Sequence, residues 1–320
     1  MTRNISSKER TVGIGTGWLR GALSLLAVAV VMIAIPLYSE RISHSVRSAL
    51  ELLYRVVIPA VFPFMIIADL MYALLDFSSL KLAGKIFERA FGISRSGIYP
   101  LILGATCGFP LGVKCTADLY RNGRINGDEA ERLIGFCNNT GPAFLIAGVG
   151  IGLRGSISDG ITLYISMMLA AIAIGIAFSI GHGDISREDR FSRERFSITA
   201  SIRSAGTATL TLSSFVAFFA IFAGMLRLLL GESIPYLCLI SFLEIGSATS
   251  IFSKTKLLTS FGSLVLTAFA TGFSGLSVHL QALSFLEGTG LSCRRYFIMK
   301  LLQGILTAIF CAIIYVFTHG

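Results

Sequence analysis

The chain has 320 residues, 54% of them hydrophobic and only 14% charged, with a mean hydropathy of +0.76. An ordinary soluble domain carries about 25% charged residues, so this composition excludes one and demands apolar surroundings for much of the chain. The net charge of +9 does not point to nucleic acid, because the basic residues lie scattered between apolar stretches rather than on one basic face.

Crossing a hydrocarbon layer of roughly 30 Å takes about 20 apolar residues. Taken in chain order, spans are predicted at 18–38, 52–75, 131–153, 158–181, 209–231, 235–252 and 294–318. They are helices, because in lipid a backbone has to satisfy its own hydrogen bonds, and the alternating strands of a membrane barrel are missing. The first apolar segment follows Arg3, Lys8, Arg10 and Arg20. It is too long for the core of a cleaved signal and is expected to stay as a span. The positive-inside tendency places the N-terminus, 76–96, 182–207, Lys254, Lys256, Arg294 and Arg295 in the cytoplasm and the links 154–158 and 231–235 outside; Arg41 and Arg47 run against it. The expected divisions are a tail with the first span (1–50), a first half (51–181), a polar cytoplasmic linker (182–208) and a second half (209–320).

Two further apolar stretches, within 97–120 and 261–286, are short and broken by Gly, Ser or Pro. Aligning Gly108-Phe109 with Gly272-Phe273 brings Lys114 onto His279. Both are read as re-entrant hairpins. A helix broken at Gly or Pro leaves backbone groups unpaired, which at membrane depth is tolerated only where protein or a cavity satisfies them. Paired broken segments in the two halves of a chain point to a solute site. Gly-rich helix-packing faces are the alternative.

Polar groups at membrane depth are costly and mark either function or pairing. In the first stretch these are Lys114, beside Gly108, Phe109, Pro110 and Gly112. The third span opens on Asn138-Asn139-Thr140-Gly141-Pro142, where Pro142 interrupts the hydrogen-bond ladder. The two asparagines either bind a many-featured solute or cross-link helices. Glu244 falls within a span and either binds solute, couples to a proton or is held as a buried carboxylate. The second stretch contributes Ser274, Gly275, Ser277, His279 and Gln281, with His279 either titrating or simply packed. Asp69 and Arg227 lie near span ends and are expected to pair or reach the interface.

Six scattered cysteines form no CxxC or Cys/His cluster, so they read as small buried hydrophobes rather than metal ligands or disulfides. There is no phosphate-cradling, zinc-hydrolase or nucleophile-elbow motif. Neither an enzyme nor a cofactor is expected.

The string GFPLGVKCTADLYRNGRINGDEAERLIGFCNNTGPAF, with LEIGSA and GFSGLSVHLQ further on, resembles the YlbJ family of sporulation integral membrane proteins, from about residue 50 onward. That family is grouped with the nucleoside-recognition, or Gate-domain, membrane proteins. The resemblance implies a multi-pass protein of a spore-forming bacterium's cytoplasmic membrane. It also implies an all-α fold similar to concentrative nucleoside transporters, with two re-entrant hairpins in a two-fold repeat of about 7–9 helices. The implied partners are the lipid bilayer, a small polar, nucleoside-like solute and a second copy of the chain; a non-transporting scaffold is the alternative. In such transporters the hairpins enter from opposite faces, whereas the spans above put both on the cytoplasmic side. Either a span within 209–252 is miscounted or the repeat is not inverted.

Overall fold

A computed structural model describes residues 35–74, 81–180 and 197–319, with isolated positions between 25 and 33. The predicted first span and the linker core lie mostly outside these residues. The described residues are helical, with no strand among them. In chain order the helices are α1 (Ser39–Leu52), α2 (Ile58–Leu74), α3 (Lys81–Phe91), α4 (Ile98–Thr106), α5 (Leu111–Arg121) and α6 (Gly127–Cys137). A π-helix, Ala143–Leu153, precedes α7 (Ile157–Ala177), α8 (Ile198–Leu230), α9 (Ile234–Leu243), α10 (Ile245–Lys254), α11 (Ser260–Phe273), α12 (Gly275–Leu286) and α13 (Arg294–His319). By length and apolarity α7, α8, α11 with α12, and α13 can each cross a membrane.

The start signals are local. Asn126, Ser156, Ser197, Ser233 and Thr259 each accept a backbone N–H from the first turn of the helix they cap, which satisfies donors that a helix start leaves free. Asp128 and Glu129 follow Asn126 in the first turn of α6, where negative charge suits the helix dipole.

The chain breaks in two different ways. At Cys107–Pro110 it folds back: α4 and α5 pack side by side, Gly108 sits at φ +83°, and the Phe109–Pro110 peptide is cis. At Glu244 it folds back again. Helices α9 and α10 pack on each other, and Tyr236, Leu237, Ile240, Ala248 and Phe252 share one core. Each of these two arms has 10 residues, about 15 Å at 1.5 Å per residue, and so reaches only half-way through a bilayer. At Asn138–Pro142 and at Ser274 the chain continues onward instead. There α6 runs on into the π-helix, and α11 into α12, without either pair packing side by side.

Two clusters of polar contacts mark the ends of the bundle. At one end Arg132 donates to the Gly92 carbonyl at 2.7 Å, Arg121 reaches the carbonyls of Phe285 and Glu287, and Arg295 pairs with Asp128 at 2.5 Å. At the other, Arg154 pairs with Asp159 at 2.6 Å and donates to Ser263 at 2.8 Å, while Ser263 donates to the carbonyl of Phe252. Helices α4 and α5 open to the first end and α9 and α10 to the second, so the two fold-backs enter from opposite ends.

The order fold-back, broken crossing, whole crossing therefore occurs twice and inverted: α4/α5, α6/π-helix, α7; then α9/α10, α11/α12, α13. Two expectations are corrected. The 235–252 segment is the second hairpin and not a span, since two half-length helices contain the residues of one crossing. The 261–286 stretch is a broken crossing and not a hairpin, because its halves diverge at Ser274. The sequence echo of Gly108-Phe109 with Gly272-Phe273 thus joined non-equivalent breaks. Lys254 and Lys256 then fall at the Arg154 end, opposite Arg294 and Arg295, and both hairpins no longer share one side.

A polar junction where four breaks meet

The fold-back tips abut the crossings that follow them. A Cβ at Gly104 would lie 1.7 Å from the Cys137 carbonyl oxygen, one at Gly112 would lie 2.1 Å from it, and one at Gly108 would lie 2.4 Å from the Gly141 nitrogen. Only glycine permits this approach, and Phe109 N–H then donates to the carbonyl of Asn139 at 2.7 Å. In the second half Gly275, at φ +72°, faces the Leu243 carbonyl and the Glu244 and Ile245 nitrogens less closely, an added Cβ lying 3.3–3.4 Å from them. Pro110 leads into α5, and Pro142 into the π-helix.

The broken backbone is satisfied across the two halves. In a continuous helix the Asn138 carbonyl would accept from residue 142, but that residue is Pro142, which has no N–H. Lys300 of α13 donates to this carbonyl at 2.9 Å and to Gln303 Oε1 at 2.8 Å. Gln303 Nε2 donates to Asn139 Oδ1 at 2.7 Å, and Asn139 Nδ2 to the Phe136 carbonyl at 2.8 Å. In return Thr140 Oγ1 donates to the Thr271 carbonyl beside the other break at 2.9 Å. Asn138 Nδ2 donates to Tyr296 Oη at 3.0 Å, and that hydroxyl lies 2.8 Å from His279 Nδ1.

The candidate residues consequently separate into three groups. Asn138, Asn139, Thr140 and His279 are almost fully buried and hold helices together, the cross-linking alternative for the asparagines. His279 is also edge-on to Phe273, Tyr296 and Phe297. Gly108, Pro110, Gly112, Gly141, Pro142, Ser274 and Gly275 shape the breaks. Lys114 stands apart, 3.7 Å from Asp69 and 3.4 Å from Asp118, so the alignment of Lys114 with His279 does not correspond to a shared environment.

The third group lines a small cavity of about 30 Å³. Phe109 comes from one fold-back tip, Glu244, Ile245 and Gly246 from the other, Phe144 from the π-helix, and Ser277, Val278 and Gln281 from α12. Ala49 of α1, Leu53 just beyond its end, and Leu212, Phe215 and Val216 of α8 close it. Glu244 is not mid-helix: it sits in extended backbone and caps α10, Oε1 accepting from Gly246 N–H at 2.8 Å and Oε2 from Ser247 N–H at 2.5 Å. Its charge is thereby matched to a helix N-terminus. Ser277 Oγ and Gln281 Nε2, one helical turn apart on one face, have no protein partner although 2% and 1% exposed. Among the described residues no group of His, Cys, Asp and Glu could hold a metal.

Lys300, Gln303 and Tyr296 were not among the residues expected from sequence. The signal was present as a lysine inside the apolar run FIMKLLQGIL, since an ionisable residue within a span marks function or pairing.

No protein-family model matches the chain, and no solved structure matches it. The chain is 25% identical over 319 residues to the sporulation integral membrane protein YlbJ of Bacillus subtilis, a match covering 84% of this chain and 76% of that protein. Together with its crossing helices, this makes the chain a multi-pass membrane protein.

Proposed function

We propose, from the premise that this chain belongs to the YlbJ family of sporulation integral membrane proteins, that it binds or passes a small polar solute at the cavity between the four breaks. One observation carries this reading: Ser277 Oγ and Gln281 Nε2 are buried at the cavity wall without partners. Buried polar groups are nearly always hydrogen-bonded, and here the two unused groups share one wall. Phe109, Phe144 and Phe215 give that space flat apolar walls. A solute with a planar apolar body and acceptors along one edge, such as a nucleoside, suits this lining. The two inverted hairpin units support the likeness to concentrative nucleoside transporters, in which broken helices meet at the solute. The basic Arg121, Arg132 and Arg295 end is assigned to the cytoplasm.

The test is thermal unfolding of the purified protein in detergent against a panel of purine and pyrimidine nucleosides. A raised midpoint with at least one nucleoside, lost in Ser277→Ala combined with Gln281→Leu, is expected. A response unchanged by the double substitution overturns this site, and no response to any nucleoside overturns the nucleoside-like class.

A non-transporting scaffold is the second reading. What favours it is that Asn138, Asn139, Lys300 and Gln303 are engaged in bonds between helices. It predicts that the double substitution at the cavity leaves sporulation unaffected.

A further inference from the structure

We propose that Lys300 is a built-in cation, its ammonium occupying the seat that a free monovalent cation would otherwise take at the first broken crossing. Lys300 is 0% exposed, on a helix that crosses the bundle. Both of its oxygen partners are neutral, the Asn138 carbonyl and Gln303 Oε1, and among the described residues no carboxylate forms an ion pair with it. A buried ammonium without a counter-ion is expensive. A stretch of apolar residues in α13 would avoid that cost, unless the charge answers a need at this place.

The need is visible in the backbone. Pro142 leaves the Asn138 carbonyl with no helical donor, and carbonyls freed where a membrane helix unwinds are the groups that hold cations. The side chains around the seat are ordered accordingly. Asn139 gives its N–H₂ to the Phe136 carbonyl and its oxygen to Gln303, which in turn presents its own oxygen to Lys300. Each amide in this relay points its negative end toward the ammonium. The relay is what a cation site requires, and the occupant is tethered.

Two consequences follow. The folded state does not depend on sodium or potassium, and removing the ammonium leaves a cation seat open. The experiment measures thermal unfolding midpoints of the full-length protein, purified in detergent, in NaCl, KCl and choline chloride at equal ionic strength. The wild type is expected to unfold at one midpoint in all three. Lys300→Ala is expected to unfold lower in choline chloride and to regain several degrees in NaCl or KCl, because an ion that binds only the folded state stabilises it. Where the alanine variant does not accumulate, Lys300→Ser, which keeps the space and adds an oxygen, serves in its place. A wild-type midpoint raised by sodium or potassium over choline overturns the proposal, with no variant needed. So do variant midpoints that are the same in all three salts. The readout uses salts alone, so its failure is separate from failure of the solute reading.

Discussion

Thr140 of the first broken crossing donates its hydroxyl to the Thr271 carbonyl of the second at 2.9 Å, across 131 positions of sequence. Ser274 reaches the same carbonyl only at 3.4 Å. Thr140→Val keeps the shape of the side chain and removes the donor, leaving a buried carbonyl short of its main partner. The expected loss is about 1–3 kcal/mol, read as a lower unfolding midpoint in detergent, with Thr140→Ser close to wild type.

Gly104 is held by geometry rather than by flexibility, since a Cβ there would meet the Cys137 backbone at 1.7 Å. Gly104→Ala is expected to displace the first fold-back from α6 and to abolish monodisperse protein in size-exclusion chromatography. Gly206, inside α8 with no atom within 4 Å of an added Cβ, is the matched control. Gly206→Ala is expected to be neutral, or stabilising by roughly 0.5–1 kcal/mol.

Ser274 carries φ 80° without being glycine. A left-handed conformation costs an L-residue about 1–2 kcal/mol, more when the side chain is β-branched. Ser274→Gly is therefore expected to hold or raise the unfolding midpoint, and Ser274→Val to lower it. A lower midpoint in Ser274→Gly would mean that the Ser274 hydroxyl matters more than its backbone.

The entry of the fold-backs from opposite ends is open to labelling. Glu232, beside the start of α9, and Glu287, beyond the end of α12, are both exposed. In a background lacking the exposed Cys238, single cysteines at these two positions are expected to react with a membrane-impermeant maleimide from opposite sides of the membrane. Reaction from the same side would remove the inverted arrangement.

Sequence singled out a residue at every break but misjudged what happens at two of them, Glu244 and Ser274. Gly108, Asn138–Pro142, Glu244 and Gly275 all stand out as polar or conformationally special residues inside apolar runs. A break does not state whether the chain turns back or continues. Length misled as well, because α9 and α10 together have the extent of one crossing. Direction is set by long-range packing: Tyr236 and Phe252 meet in one core, whereas Phe273 and Gly304 are in contact across α11 and α13. The polar junction was half legible. Asn138, Asn139 and Thr140 are adjacent in sequence, but Lys300 and Gln303 join them from more than 160 positions away, a pairing that no local pattern encodes. Ser277 and Gln281 were visible as polar residues, though not as the ones left without partners.

The carbonyl that Pro142 frees is satisfied by a lysine 162 positions further along the chain. During synthesis from the N-terminus, the first broken crossing is made long before its lysine exists. The opening half therefore enters the bilayer with this polar defect unsealed, to be covered for the interval by water, lipid headgroups or an assisting factor. Insertion of α13 completes it. A protein truncated before α13 would thus be caught in an unfinished state rather than reduced to a smaller working unit, and quality-control proteolysis would be the sensitive reporter of that difference.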